Sequence, residues 1–153
     1  MQCRLRDQNA VLPLHIRQQQ HEFVTAEAAH GVGGAHGRLQ ALGELGQDFL
    51  KAGLLDRAEA AFQRLRGTRA NDVALRYLLE IYQQEKDWAK AIEAAGALPD
   101  HESLMWRTEV ANFHCELAAG ALASSALGEA EAHVAAALAV NPRCVRASLI
   151  RGD

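Results

Sequence analysis

His114 and Cys115 stand side by side in this sequence, a nitrogen and a sulfur suited either to a shared soft metal or to a nucleophile and its base. Adjacent residues on a helix diverge by about 100°, which keeps such a pair from easily sharing an ion. The favoured expectation is a packed histidine beside a small apolar cysteine. His21, His30 and His36 are candidates to collect a metal in a flexible segment, yet no cysteine or carboxylate spacing completes a defined site there. Asp56-Arg57 and Asp87 are expected to set turns and surface ion pairs, because nothing places a second titrating group beside them for acid/base work. No Ser-His-Asp order and no P-loop appears, and Gly31, Gly33 and Gly34 do not follow a strand as a dinucleotide-binding turn requires. The expectation is a protein without catalytic residues, metal or cofactor.

The remaining chemistry is narrow. Cys3, Cys115 and Cys144 form no CxxC pair and cannot all be bridged within one chain, which fits a reducing compartment better than a disulfide framework. A net charge of -3 and a pI near 6.2 leave no basic field for phosphates, so no nucleic-acid partner is expected. No run of about 18 apolar residues occurs and Met1 to Gln20 lacks the order of a secretory signal. The chain is expected to be soluble.

The elements that would hold these residues are helical. Hydrophobic residues reach 49% while aromatics are only 5%, with Ala and Leu dominant, a composition of packed helices rather than pleated strands. Self-similarity then organises the chain. Leu45, Gly46, Phe49, Ala58, Phe62 and Leu65 share their spacing with Leu78, Leu79, Tyr82, Ala91, Ala95 and Leu98, 33 residues on from 45 to 78. Leu117, Ala118, Ala121, Ala130, Val134 and Ala137 repeat it after 39 residues, from 78 to 117. The extra length falls in the loop Pro99 to Ser103, where closure entropy grows slowly with length and Asp100 is placed to cap the next helix.

The spacing predicts first helices at Arg38–Ala52, Asp72–Glu85 and Glu102–Ala123, and second helices at Leu55–Arg66, Trp88–Ala97 and Ala126–Val140. Gly53, Asp87 and Ser125 mark the turns. Leu45 and Phe49, and Ala58 and Phe62, lie four apart on facing stripes, with Ala58, Ala91 and Ala130 small at the closest approach. Trp88 is expected to pack between helices, with Trp106, Tyr77 and Tyr82 similar in kind. Asn141-Pro142 is expected to cap and start another helix from about Arg143, one that looks severed, because Val145, Leu149 and Ile150 are too apolar for a finished cap. Residues 1 to 37 carry no repeat register. A helix from about Leu12 to Ala29 is conceivable there, followed by a flexible glycine join before Arg38.

The leucine, glycine, aromatic and alanine pattern resembles the tetratricopeptide repeat, with Pro142 as its closing proline. More narrowly, Leu45-Gly46-Gln47-Asp48-Phe49-Leu50-Lys51-Ala52-Gly53, Leu78-Leu79-Glu80-Ile81-Tyr82-Gln83, Asp87-Trp88-Ala89-Lys90-Ala91-Ile92 and Phe113-His114-Cys115-Glu116-Leu117-Ala118 resemble the LapB (YciM) family of lipopolysaccharide assembly proteins, from about Arg38 to the end. The resemblance implies a superhelix of stacked antiparallel hairpins, about three repeats over 38–153 plus the start of a fourth. It also implies an adaptor at the cytoplasmic face of the bacterial inner membrane. Such an adaptor brings a lipid A biosynthetic deacetylase to the FtsH protease, with lipopolysaccharide as a ligand or signal. The family's N-terminal membrane helix and its rubredoxin-like cysteines are not found in this sequence, so anchoring and metal binding do not transfer. Residues 1 to 37 read as a truncated or mis-started frame.

Stacked hairpins line a groove with their first helices. The register puts Gln40, Gln47, Lys51, Arg76, Glu80, Gln83, Gln84 and Asn112 on that face, rich in amides that suit a peptide backbone; the plain alternative is a solvated surface. Gly43 and Gln47 stand where chaperone-binding repeats need Lys and Asn, so capture of an EEVD-type tail is not expected. Two other readings are a repeat region attached to a glycosyltransferase and a generic repeat adaptor.

Overall fold

The computed structural model of the chain describes residues 32–152, and every regular element among them is a helix. The conceived helix at Leu12–Ala29, with His15, His21, His30 and Cys3, lies outside the described residues. In chain order the helices are α1 (Val32–Lys51), α2 (Leu55–Gln63), α3 (Asn71–Glu85), α4 (Trp88–Gly96), α5 (Asp100–Ser103), α6 (Arg107–Ala123), α7 (Leu127–Val140) and α8 (Val145–Arg151). They fall into two compact units divided between Ala74 and Leu75.

In the first unit α1 lays Leu42, Leu45 and Phe49 against α2, which returns Ala58, Ala61 and Phe62, all buried. The i, i+3, i+7 spacing makes one apolar stripe on α1, and a fully buried Phe62 or Leu65 contributes about 1.5–3 kcal/mol. The helices approach so closely at Gly46 that a Cβ there would sit 2.8 Å from Cζ of Phe62. The expected join before Arg38 is instead helical from Val32. No proline interrupts these residues, and each residue added to an existing helix gains a hydrogen bond, which offsets the roughly 1 kcal/mol that each glycine costs.

The turns repeat in backbone geometry as the sequence does in pattern. Gly53, Lys86 and Ser125 all have positive φ, 71, 59 and 61°, again 33 and 39 positions apart. At each turn the next amide closes a bond to the carbonyl five residues back: Leu54 to Phe49, Asp87 to Tyr82, and Ala126 to Ala121, at 2.8–2.9 Å. This is the left-handed closure that satisfies the last carbonyls of a helix. The left-handed residue of the second turn is thus Lys86, not Asp87. Asp87 instead caps α4, its side chain accepting from the Lys90 amide.

In the second unit α3 buries Leu75, Leu78, Leu79, Ile81 and Tyr82, and α4 buries Ala91, Ala94 and Ala95. Trp88 stacks on Phe113 of α6, centroids 5.5 Å apart and 18° between planes, the interhelical role expected of it. Ala111, Cys115 and Ala118 of α6 share one core with Val134 and Ala137 of α7 and with Cys144 and Ala147. Ala58, Ala91 and Ala130 are all buried.

Two starts differ from the sequence reading. The helix expected over Glu102–Ala123 is divided into α5 and α6, and the cap of α5 is Pro99 rather than Asp100. With φ −53 and ψ 147°, Pro99 holds the extended backbone of a cap, which moves Asp100 into the first turn, where its charge favours the helix dipole. Further on, Asn141 accepts from the Arg143 amide through Oδ1 at 3.0 Å, and its carbonyl accepts from Cys144. Pro142 is therefore held in a turn, and α8 begins only after Cys144.

Candidate functional site

The eight residues expected on the groove side divide between the units. On α1, Gln40 and Lys51 are exposed and Gln47 is half-buried. Gln40 donates to Glu44 at 3.0 Å, and Lys51 lies 3.7 Å from Asp48. On α3, Arg76, Glu80 and Gln84 follow one another at four-residue steps and are exposed, so they form one line along the helix. Gln83 is half-buried and donates back to the Leu79 carbonyl. Asn112 is exposed on α6.

Arg76 is committed to a partner the sequence did not suggest. Its Nε and Nη2 donate to the two carboxylate oxygens of Glu102 at 2.7 and 2.6 Å. The fork-to-fork geometry is the strong form of this pair, and it fastens α5 to α3. Glu102 lies 26 positions away, so no local spacing could have revealed it.

The His114-Cys115-Glu116 run meets three residues from further along the chain. His114 and His133 of α7 approach at 3.4 Å between Nδ1 atoms, with ring centroids 5.6 Å apart. Cys115 and Cys144 lie 3.8 Å apart at sulfur, and Glu116 accepts from Arg146 of α8 at 2.6 Å. Consecutive residues on α6 point in different directions, so each reaches a different neighbour. Burial, and then the ring of His133, lower the pKa of His114. Burial and the contact with Cys144 push the Cys115 thiol up to about 11, which keeps it largely protonated and slow to react at neutral pH. Among the described residues no three His, Cys, Asp or Glu side chains converge to hold a metal ion.

Two hollows open on apolar faces. One of about 450 Å³ is lined by Leu122, Leu127, Val134, Ile150 and Arg151 among others. A shallower one of about 220 Å³ lies beside Leu42, Phe49, Arg57 and Arg64, where the Arg57 guanidinium stands 5.8 Å from the Phe49 ring centre. No helix among the described residues is long and apolar enough to cross a membrane.

No protein-family model matches the chain. Individual proteins do. Lipopolysaccharide assembly protein B of Escherichia coli strain K12 is 39% identical over 118 residues, covering 75% of this chain and 30% of the relative. The protein of the same name from Haemophilus influenzae is 36% identical over 114 residues, covering 74% of this chain and 28% of the relative. The chain spans about three tenths of the length of the curated relatives it matches. Its recurring hairpins are consistent with a tetratricopeptide-like helical repeat, and over three quarters of its length the chain is LapB-like, similar to one segment of lipopolysaccharide assembly protein B.

Proposed function

We propose that the chain is a non-catalytic protein-interaction scaffold of the LapB kind, acting in the control of lipopolysaccharide synthesis. In this reading it brings a lipid A biosynthetic deacetylase to the FtsH protease at the cytoplasmic face of the inner membrane. The observation that carries the proposal is the 39% identity over 118 residues to lipopolysaccharide assembly protein B. The exposed line of Arg76, Glu80 and Gln84 on α3 supports a contact surface. It mixes both charges with an amide, and amides pair with backbone donors and acceptors alike. Arg76 contributes through its place beside Glu102 rather than as a lone cation.

The test is capture of purified FtsH and purified deacetylase, separately and together, by the immobilised chain, with the full-length Escherichia coli relative as the positive control. Retention of both that falls in a Glu80→Ala, Gln84→Ala double variant is the expected result. Retention by the control and by neither form of this chain overturns the proposal.

A further inference from the structure

Cys115 and Cys144 stand 29 positions apart in the chain, one on α6 and one at the entry to α8, with their sulfurs 3.8 Å apart. Neither belongs to the proposed interaction surface. We propose that they form an oxidisable dithiol, which closes to a disulfide on reaction with a low-molecular-weight disulfide such as oxidised glutathione, tying α8 covalently to α6.

The geometry favours this bond over a chance contact. A disulfide needs sulfurs about 2.05 Å apart, so the two must close by a little under 2 Å. Cys144 is the residue free to supply that shift. It precedes a helix of seven residues, its backbone is extended at φ −70 and ψ 95°, and it ends the turn around Pro142. Its neighbours hold the register. Arg146 pairs with Glu116 at 2.6 Å, and Ala147 packs into the same core as Ala111 and Ala118, so the thiols stay opposed while α8 is docked.

The order of steps follows from access. Cys144 is 7% exposed and Cys115 fully buried, so the first exchange falls on Cys144 when the short α8 opens locally. Its thiolate attacks one sulfur of the reagent and expels one glutathione thiolate, which takes up the proton that Cys144 lost. Cys115 then gives up its proton and attacks the Cys144 sulfur, breaking the mixed disulfide and releasing the second glutathione. Two protein thiols are oxidised by two electrons, and one reagent disulfide is reduced to two thiols. Burial of Cys115 makes the second step slow at neutral pH, and its rate rises roughly tenfold per pH unit below the thiol's pKa. The closed loop contains all of α7. Ile150 and Arg151 of α8 line the larger apolar hollow, so oxidation adds a covalent tie to one wall of that hollow.

The experiment uses the full chain carrying Cys3→Ser, so that only this pair is counted. The protein is incubated with oxidised glutathione, unreacted thiols are alkylated, and the product is read by intact mass and by non-reducing peptide mapping. Expected are loss of two hydrogens, no alkylation, a Cys115–Cys144 cross-linked peptide, and a melting temperature higher by on the order of 10 °C that dithiothreitol reverses. In Cys115→Ala the reaction stops at a mixed disulfide on Cys144. Two alkylated thiols after prolonged incubation, stable glutathione adducts on both cysteines, or bonds only between chains would each overturn the proposal.

Discussion

Gly46 gives up its side chain to the ring of Phe62: a Cβ at position 46 would lie 2.8 Å from Cζ and 3.0 Å from Cε1. The equivalent positions in the later hairpins are Leu79 with Ala95 and Ala118 with Val134, all buried. Where the first hairpin places a small residue on its first helix and a large one on its second, the next does the reverse. Gly46→Ala is therefore expected to cost about 1–3 kcal/mol by overpacking, seen as a lower denaturation midpoint. Combining Gly46→Leu with Phe62→Ala, which copies the second hairpin, should recover stability relative to Gly46→Leu alone. A double variant no more stable than that single one would contradict the pairing.

The left-handed turn residues give a second expectation. Lys86 and Ser125 hold φ of 59 and 61°, a region that strains any residue with a Cβ. Lys86→Gly and Ser125→Gly should each stabilise by about 0.5–1 kcal/mol, and Gly53→Ala should destabilise by about 1 kcal/mol. Chemical denaturation at fixed pH measures all three.

Burial of His114, and to a lesser degree the ring of His133 beside it, makes stability depend on pH. His114 titrates in the folded protein below its ordinary value of 6.5, so between the two values the unfolded chain binds more protons than the folded one. Stability then rises with pH through that window and is lost as pH falls below about 6.5. The melting temperature should drop on acidification from pH 7 to pH 5, and His133→Gln should lessen this slope in part, because burial of His114, the larger cause, remains. An unchanged slope in that variant would show that burial of His114 acts without a contribution from His133.

Surface changes should separate recognition from folding. Glu80→Ala and Gln84→Ala alter exposed positions and are expected to shift stability by no more than about 0.5 kcal/mol while weakening capture of the partner. Arg76→Ala additionally removes the bidentate pair with Glu102, so it should loosen α5, seen as faster amide exchange over Asp100–Ser103.

Much of the fold was legible because its signals are local or periodic. The repeat spacing located the hairpins, the small residues at Ala58, Ala91 and Ala130, and the packing role of Trp88. The helix starts at Pro99 and Cys144 differ from the sequence reading because Pro99 takes the cap position from Asp100, while Asn141 closes a turn around Pro142 instead of capping a helix. The glycines before Arg38 misled for a related reason, since low propensity lowers helix content without forbidding continuation from a packed segment. The partners of Arg76, His114, Cys115 and Glu116 stand 19 to 30 positions away. The helix period tells which way a side chain points but not which later helix it meets.

The longer third spacing has a consequence for how such a chain tolerates change. Between α4 and α6 the chain inserts Pro99 and the one-turn α5, and the next turn still closes from Ala126 to Ala121 at 2.8 Å, as the earlier turns do. The joint between hairpins thus accommodates extra length while each hairpin bend keeps the same closure. Peptide tags or sensor inserts introduced at the joint are expected to leave helix pairing intact, whereas a single residue added beside Gly53, Lys86 or Ser125 would rotate every later side chain off its seam.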